Sequence, residues 1–236
     1  MIPFNSTLGL GLELCSNEFG YFANEGECFK ITNIKTPAPW ANVIGNERYG
    51  LVLSQSGGGF SWLENSQLKR ITRWEQDLVQ DRQGRFVYLQ DLDDTDKIWS
   101  TTYQPTAIDG DEDEVTHGLG YTKFTRALNG IRTTQTVFVP NDSTCEVWII
   151  DVENLESRAR NLRVATYLEW FLGTVGDWHR EFHRLFIETR PSGQALLAWK
   201  HAGLRENQRV VEDLGLVAAF AANGLDIERW ITSTAA

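Results

Sequence analysis

Single-residue alternation of apolar and polar side chains dominates this chain. Over 131–139 (IRTTQTVFV), Ile131, Thr133, Gln135, Val137 and Val139 share one face, and Arg132, Thr134, Thr136 and Phe138 share the other. Over 161–170 the same period sets Leu162, Val164, Thr166, Leu168 and Trp170 together. A period of two belongs to a β-strand, whose successive side chains point to opposite faces of a sheet. Segments rich in β-branched and aromatic residues predict further strands at 19–23, 27–32, 48–54, 60–63, 85–90, 97–102 and 121–127. Others follow at 144–152, 182–189, 194–200 and 214–222. Between them lie Asn24-Glu25-Gly26, Gly57-Gly58-Gly59, Gln83-Gly84, Asn129-Gly130, Pro140-Asn141-Asp142 and Ser192-Gly193, where a positive or proline-fixed φ costs little. No segment longer than about twelve residues carries a 3.6-residue stripe, so helix is confined to short pieces at 65–78 and 203–213. Strands recurring about every ten residues predict an all-β, antiparallel sandwich of two large sheets with at most short helices. Neither an internal repeat nor a low-complexity linker interrupts the pattern. Residues 19–236 therefore read as one domain behind an N-terminal extension, 1–18.

Composition narrows the partners. The chain has 236 residues, 42% of them hydrophobic and 23% charged, enough for a substantial core and too apolar to remain disordered. No run approaches the roughly 20 apolar residues a membrane-spanning helix needs, which argues against a membrane. A net charge of −10 repels phosphate backbones and argues against nucleic acid. The first sixteen residues (MIPFNSTLGLGLELCS) lack a basic segment, hold Glu13 inside their only apolar stretch and show no small-x-small cleavage site. They predict neither a signal peptide nor a lipid anchor. Cys15, Cys28 and Cys145 are odd in number and widely spaced, with no C-x-x-C, so neither a disulfide framework nor a cysteine-rich zinc site is expected. Reduced thiols without an export signal point to the cytoplasm. Nine Trp, twelve Phe and six Tyr imply a β-rich core, a sugar-stacking surface, or both.

Few local motifs carry chemistry. The acidic runs 91–96 (DLDDTD) and 109–114 (DGDEDE) resemble calcium loops, whose alternating carboxylates converge on the ion. Both fail, because the sixth position holds Asp96 or Glu114 instead of glycine and the twelfth holds Thr102 or Gly120 instead of glutamate. They read as solvated turns. His179, Glu181 and His183 (HREFH) share one face of a strand, but no further ligand is identifiable, and a zinc site needs three or four with a second shell. A polar strand edge is the simpler reading. G-x-S-x-G, G-K-[ST] and G-x-G-x-x-G are all absent. Gly57-Gly58-Gly59 therefore predicts a hairpin turn between 48–54 and 60–63. Paired carboxylates for glycoside cleavage remain open from 32 acidic residues, but none sits in a context that looks desolvated.

Residues 19–62 (FGYFANEGECFKITNIKTPAPWANVIGNERYGLVLSQSGGGFSW) resemble the opening of the family 94 glycoside phosphorylases (glycosyltransferase family 36). That group includes cellobiose, chitobiose and cellodextrin phosphorylases; the related part of cyclic β-1,2-glucan synthases is similar too. The likeness continues through Arg70-Ile71-Thr72-Arg73, Asp81-Arg82-Gln83-Gly84-Arg85 and Tyr88-Leu89-Gln90-Asp91. It runs on through Trp99-Ser100-Thr101-Thr102-Tyr103-Gln104-Pro105, His117 to Phe124 (HGLGYTKF) and Val137-Phe138-Val139-Pro140, covering about 19–190 in order. The resemblance implies the N-terminal supersandwich domain of galactose-mutarotase-like topology, which in the family precedes a helical linker and an (α/α)6 barrel. The barrel holds the general-acid Asp and the phosphate-binding residues, and phosphate attacks the anomeric carbon with inversion. No position of this chain matches a catalytic residue of that barrel.

The resemblance thus implies a non-catalytic, carbohydrate-associated domain with no metal and no cofactor, inactive alone. In the family the sandwich packs on the barrel, makes dimer contacts and lends a loop to the sugar site. The loop 104–121 is the element expected to do so, with Trp99, Gln104, His117 and Tyr121 as candidate sugar-facing residues. An aromatic face beside an amide is how a polar site recognises a sugar ring. A core position for Trp99, and a hydrogen bond from His117 to a backbone carbonyl before Gly118, are equally open. Expected partners are a β-linked glucan or disaccharide, held weakly or indirectly, and a helical-barrel subunit or a second copy. The alternatives are a stand-alone β-glucan-binding module and a mutarotase-type enzyme using His117, His179 or His183 with Glu169 or Glu181. Related chains continue beyond Ala236, so an exposed sheet edge or a swapped dimer is a further expectation.

Overall fold

The computed structural model describes residues 15–75, 79–173, 186–200 and 218–221, and among these the chain is all β, with no α-helix. A six-stranded antiparallel sheet forms one layer. Its order is β1 (Gly20–Ala23), β2 (Cys28–Ile31), β9 (Glu112–Gly118), β10 (Tyr121–Leu128), β11 (Ile131–Phe138) and β12 (Val147–Asn154). Facing it is a five-stranded sheet ordered β14 (Trp170–Gly173), β6 (Arg70–Thr72), β5 (Gly59–Leu63), β4 (Tyr49–Ser54) and β3 (Ala41–Gly45). A three-stranded sheet, β13 (Leu162–Tyr167), β7 (Phe86–Asp91) and β8 (Ile98–Ser100), lies beside the five-stranded one. An isolated bridge between Gly58 and Gly84 joins the two. A further ribbon consists of β15 (Ile187–Ser192), β16 (Ala195–Lys200) and β17 (Ala218–Ala221).

Alternation along β11 explains how the layers close. Ile131, Thr133, Gln135 and Val137 are all buried, so the face read from the sequence is the inner one. Val137 joins Ile31, Val115 and Phe124 against Ile44, Leu51 and Leu53 of the five-stranded sheet, forming the main core. At its other end Ile131 packs with Leu89 and Trp99 under the three-stranded sheet, a second apolar core. Burying side chains from two facing sheets is what stabilises such a sandwich.

Four strands escaped the sequence pattern: β3, β6, β9 and β14. The acidic run 109–114 is not simply a solvated turn. Its second half enters β9, where Glu112 pairs with Arg132, Asp113 with Arg126 and Glu114 with Lys30. Segment 161–170 breaks at residues 168–169 into β13 and β14, which belong to different sheets. Where a helix was expected at 65–78, the described residues form a turn and β6; 203–213 lies outside the described residues. Burial of carboxylates also corrects the expectation. Asp91 is fully buried, paired with Arg160 at 2.6 Å. Burial pushes its carboxyl up, but the Asp93 amide, the Arg160 guanidinium and the Asp94 amide outweigh that and hold it below the usual range.

Candidate functional site

The sequence motifs between 54 and 105 meet in one knot. Asp81 lies buried with φ +46°, a left-handed backbone unusual for a side-chain-bearing residue. The Ser54 hydroxyl donates to its carboxylate, and the Ser56 hydroxyl does so at 2.6 Å. The Gly58 amide donates to Ser54 Oγ at 3.0 Å, and the Gly59 amide to the Gln83 carbonyl at 3.0 Å. Three glycines are needed because side chains and backbone occupy the space: a Cβ on Gly57 would strike Thr102, one on Gly58 the Asp81 carboxylate, and one on Gly59 the Val52 carbonyl. The predicted β4–β5 hairpin turn is therefore also an anchor for the 81–85 loop. Gln104 ties in the third loop, its amide donating to the Ser56 carbonyl and its side-chain Nε2 to the Gln80 carbonyl, each at 2.8 Å.

A second anchor holds the loop that runs from 100 to 111. Arg126 projects from β10 into the interior and is almost wholly buried. Its guanidinium donates to the carbonyls of Ser100 (3.1 Å), Thr102 (2.6 Å) and Ile108 (2.5 Å) and to Asp113. One planar fork thus fixes both ends of an irregular segment, a geometry that an ammonium does not reproduce. Ile108 and Asp109, at the far side of the loop, remain exposed.

The four sequence-derived candidates fall into three places. Trp99 is 1% exposed, enclosed by Leu89, Ile131, Leu128, Leu162 and Val164. Gln104 sits in the knot, and its Oε1 has no partner among the described residues. His117 and Tyr121 flank the β9–β10 turn, where Thr122 is the ladder partner of His117. His117 Nε2–H donates to the Trp40 carbonyl at 3.0 Å, and Nδ1 accepts from the Thr122 hydroxyl at 3.0 Å, which fixes the neutral tautomer. Burial, partly opposed by the Trp40 carbonyl, lowers its pKa to about 4. The Tyr121 ring covers Gly118, leaving no room there for a Cβ. The structure thus brings His117 and Tyr121 together and places Trp99 and Gln104 elsewhere.

Beside the knot opens a shallow cleft of about 240 Å³, lined by Arg73, Arg82, Gln83, Phe86, Tyr167 and Glu169. Arg73 pairs with Glu169 at 3.3 Å and Glu75 at 3.4 Å, and the Tyr167 hydroxyl donates to Glu169 at 2.6 Å. Sequence reasoning missed this grouping. Arg73, Arg82 and Gln83 stood inside quoted motifs, but Tyr167 and Glu169 reach them only because β13 gives way to β14 at this corner. No cluster of three or more His, Cys, Asp or Glu able to hold a metal occurs among the described residues, and the 179–183 motif lies outside them. Nor is any helix among the described residues long and apolar enough to cross a membrane.

Residues 27–235 match the family described as glycosyl hydrolase 94, supersandwich domain. The N,N'-diacetylchitobiose phosphorylase of Vibrio furnissii is 37% identical over 162 residues, which are 68% of this chain and 20% of that protein. The cyclic beta-(1,2)-glucan synthase NdvB of Rhizobium meliloti is 32% identical over 214 residues, 88% of this chain and 7% of that protein. A 3-O-beta-D-glucopyranosyl-beta-D-glucuronide phosphorylase of Paenibacillus borealis is 32% identical over 151 residues, 64% of this chain and 18% of that protein. The chain spans a fifth or less of the length of each of these relatives.

Proposed function

Because the chain belongs to the supersandwich-domain family of glycosyl hydrolase 94, we propose that it is a non-catalytic scaffold that supports carbohydrate chemistry carried out on another protein body. The observation that carries this reading is the Arg126 anchor. It holds the backbone of the 100–111 loop from the buried side while Ile108 and Asp109 stay exposed, as suits a preformed wall offered to a neighbouring site. In this role Gln104 braces the loop from inside, its buried Oε1 without a partner among the described residues, and Trp99, His117 and Tyr121 shape the wall from behind. The ligand class is a β-linked glucan or disaccharide, by analogy with what the names of the relatives state. Docking of a helical catalytic body or a second copy is supported by the exposed Ile149, Val152 and Leu155 along and just after β12. There the six-stranded sheet ends without a further strand among the described residues. Free Cys15, Cys28 and Cys145 support a reducing compartment, the cytoplasm.

Two other readings have less support. A stand-alone β-glucan-binding module asks for a row of open aromatic faces, yet none of the described tryptophans is exposed and, among the other described aromatics, only Phe22, Tyr167 and Phe186 are. A mutarotase-type mechanism asks for a histidine able to exchange protons near neutrality, and both nitrogens of His117 are engaged. The test is phosphate-dependent cleavage of cellobiose and N,N'-diacetylchitobiose by the purified chain, followed as sugar 1-phosphate. No product above a heat-inactivated control is expected. Turnover overturns the scaffold role.

A further inference from the structure

The corner between β13 and β14 has the make-up of a small binding site in its own right. Tyr167 is 47% exposed, the most open aromatic residue described, whereas the described tryptophans are buried or half-buried. Phe86, on the neighbouring strand β7, is buried and floors the cleft. Arg82 is exposed and has no hydrogen-bond or ion-pair partner among the described residues. Gln83 accepts the Glu75 amide through Oε1 at 2.6 Å, which leaves its side-chain NH2 without an acceptor among the described residues. Both donors stand on a loop clamped by buried Asp81 and by the Gly58–Gly84 bridge, so little ordering is needed when a ligand arrives.

Charge decides the class of ligand. Glu169 and Glu75 both pair with Arg73, and only when Arg82 is counted do these four groups sum to zero, in a chain of net charge −10, so the corner holds no large positive surplus for an anion. It offers instead planar donors, a carboxylate acceptor and an aromatic wall, the set that suits a ring bearing several hydroxyls and an apolar face. About 240 Å³ equals on the order of eight water volumes, room for one such ring, and the open side leaves space for a chain attached to it. We propose that the Arg82–Gln83–Tyr167–Glu169 cleft binds a neutral saccharide ring, as an accessory holding site carried by this domain itself. The inference rests on the carbohydrate-associated role only for the choice of a sugar over another polyol.

The test is an amide and side-chain NMR titration of the intact chain with cellobiose and N,N'-diacetylchitobiose, with inorganic phosphate and glucuronate as anionic arms. Saccharide-dependent shifts at Gly84, Tyr167, Glu169 and the Arg82 and Gln83 side chains are expected. Arg82→Ala and Tyr167→Ala should each weaken the interaction tenfold or more while the remaining spectrum stays folded, since both residues are exposed. Arg82→Lys separates fork from charge: it should also weaken binding. Shifts confined to the anionic arms, or saccharide shifts confined to the 104–121 loop, overturn the cleft. So does saccharide affinity unchanged in both alanine variants. None of these outcomes bears on turnover, so the scaffold role stands or falls separately.

Discussion

Replacing Trp99 by alanine separates its two roles, core and sugar contact. The indole is 1% exposed and packs on Leu89 and Ile131, with Leu128, Leu162 and Val164 around it. An aromatic side chain of this kind buries roughly 150–250 Å², worth about 4–6 kcal/mol at ~25 cal/mol per Å². Partial collapse of the cavity brings the expected loss to about 3–5 kcal/mol. For a domain of this size each kcal/mol lowers Tm by about 2–4 °C, so the midpoint should fall by roughly 6–20 °C. Phenylalanine refills part of the volume and should recover more than half of the loss. Urea titration followed by far-UV circular dichroism at pH 7, with m held in common, measures both variants. A loss below about 1 kcal/mol for Trp99→Ala, with saccharide shifts abolished, would refute the core assignment and make Trp99 a contact residue.

Three further outcomes test the anchors. His117 titrates at about 4 in the fold against an ordinary 6.5, so the unfolded chain binds more protons between those values. Its contribution is complete above about pH 6.5 and is lost as pH falls towards 4, by about 3 kcal/mol in all; the difference in urea stability between wild type and His117→Gln should change over that window and be flat above it. Gly59 has φ +145° and faces the Val52 carbonyl, so Gly59→Ala should lose more than about 1 kcal/mol by thermal melting. Arg126→Met leaves the Asp113 carboxylate, only 14% exposed, uncompensated and should lose about 3–5 kcal/mol, with new protease cleavage confined to 101–111 in mass spectrometry.

What the sequence shows about this fold depends on which forces act locally. The β10–β11–β12 meander was legible because each strand is long and rich in β-branched or aromatic residues, β11 alternates cleanly, and β10–β11 are joined by Asn129-Gly130. β6 is only three residues long and β3 is flanked by irregular chain, so neither presents enough residues for a period to emerge. β9 begins in a run of carboxylates whose counter-ions come from Lys30, Arg126 and Arg132, far along the chain. Nothing near 112–114 announces them. Among the candidate residues, the hydrogen bond of His117 to a carbonyl was open from sequence, but that the carbonyl is Trp40's was not. The cleft depends on β13 and β14 parting at Leu168-Glu169, where the alternation itself reads straight through.

The interior between the two apolar cores is polar, and that arrangement bears on function more than on stability. Arg126, Asp113, Ser100, Thr101 and Gln135 lie on or against the inner face of the six-stranded sheet, between the Phe124–Val137 core and the Ile131–Trp99 core. Apolar residues there would bury surface without desolvating charge, and buried ion pairs seldom exceed such packing in stabilisation. What apolar residues lack is a means of fixing irregular backbone, because carbonyls leaving a sheet need donors at set angles. The fork of Arg126 meets three of them, at Ser100, Thr102 and Ile108, just where the second layer divides into five- and three-stranded sheets. A sandwich selected for stability alone would have little reason to divide its second layer around a loop. One whose loops must keep a fixed shape against another body has a direct reason to place a buried guanidinium there.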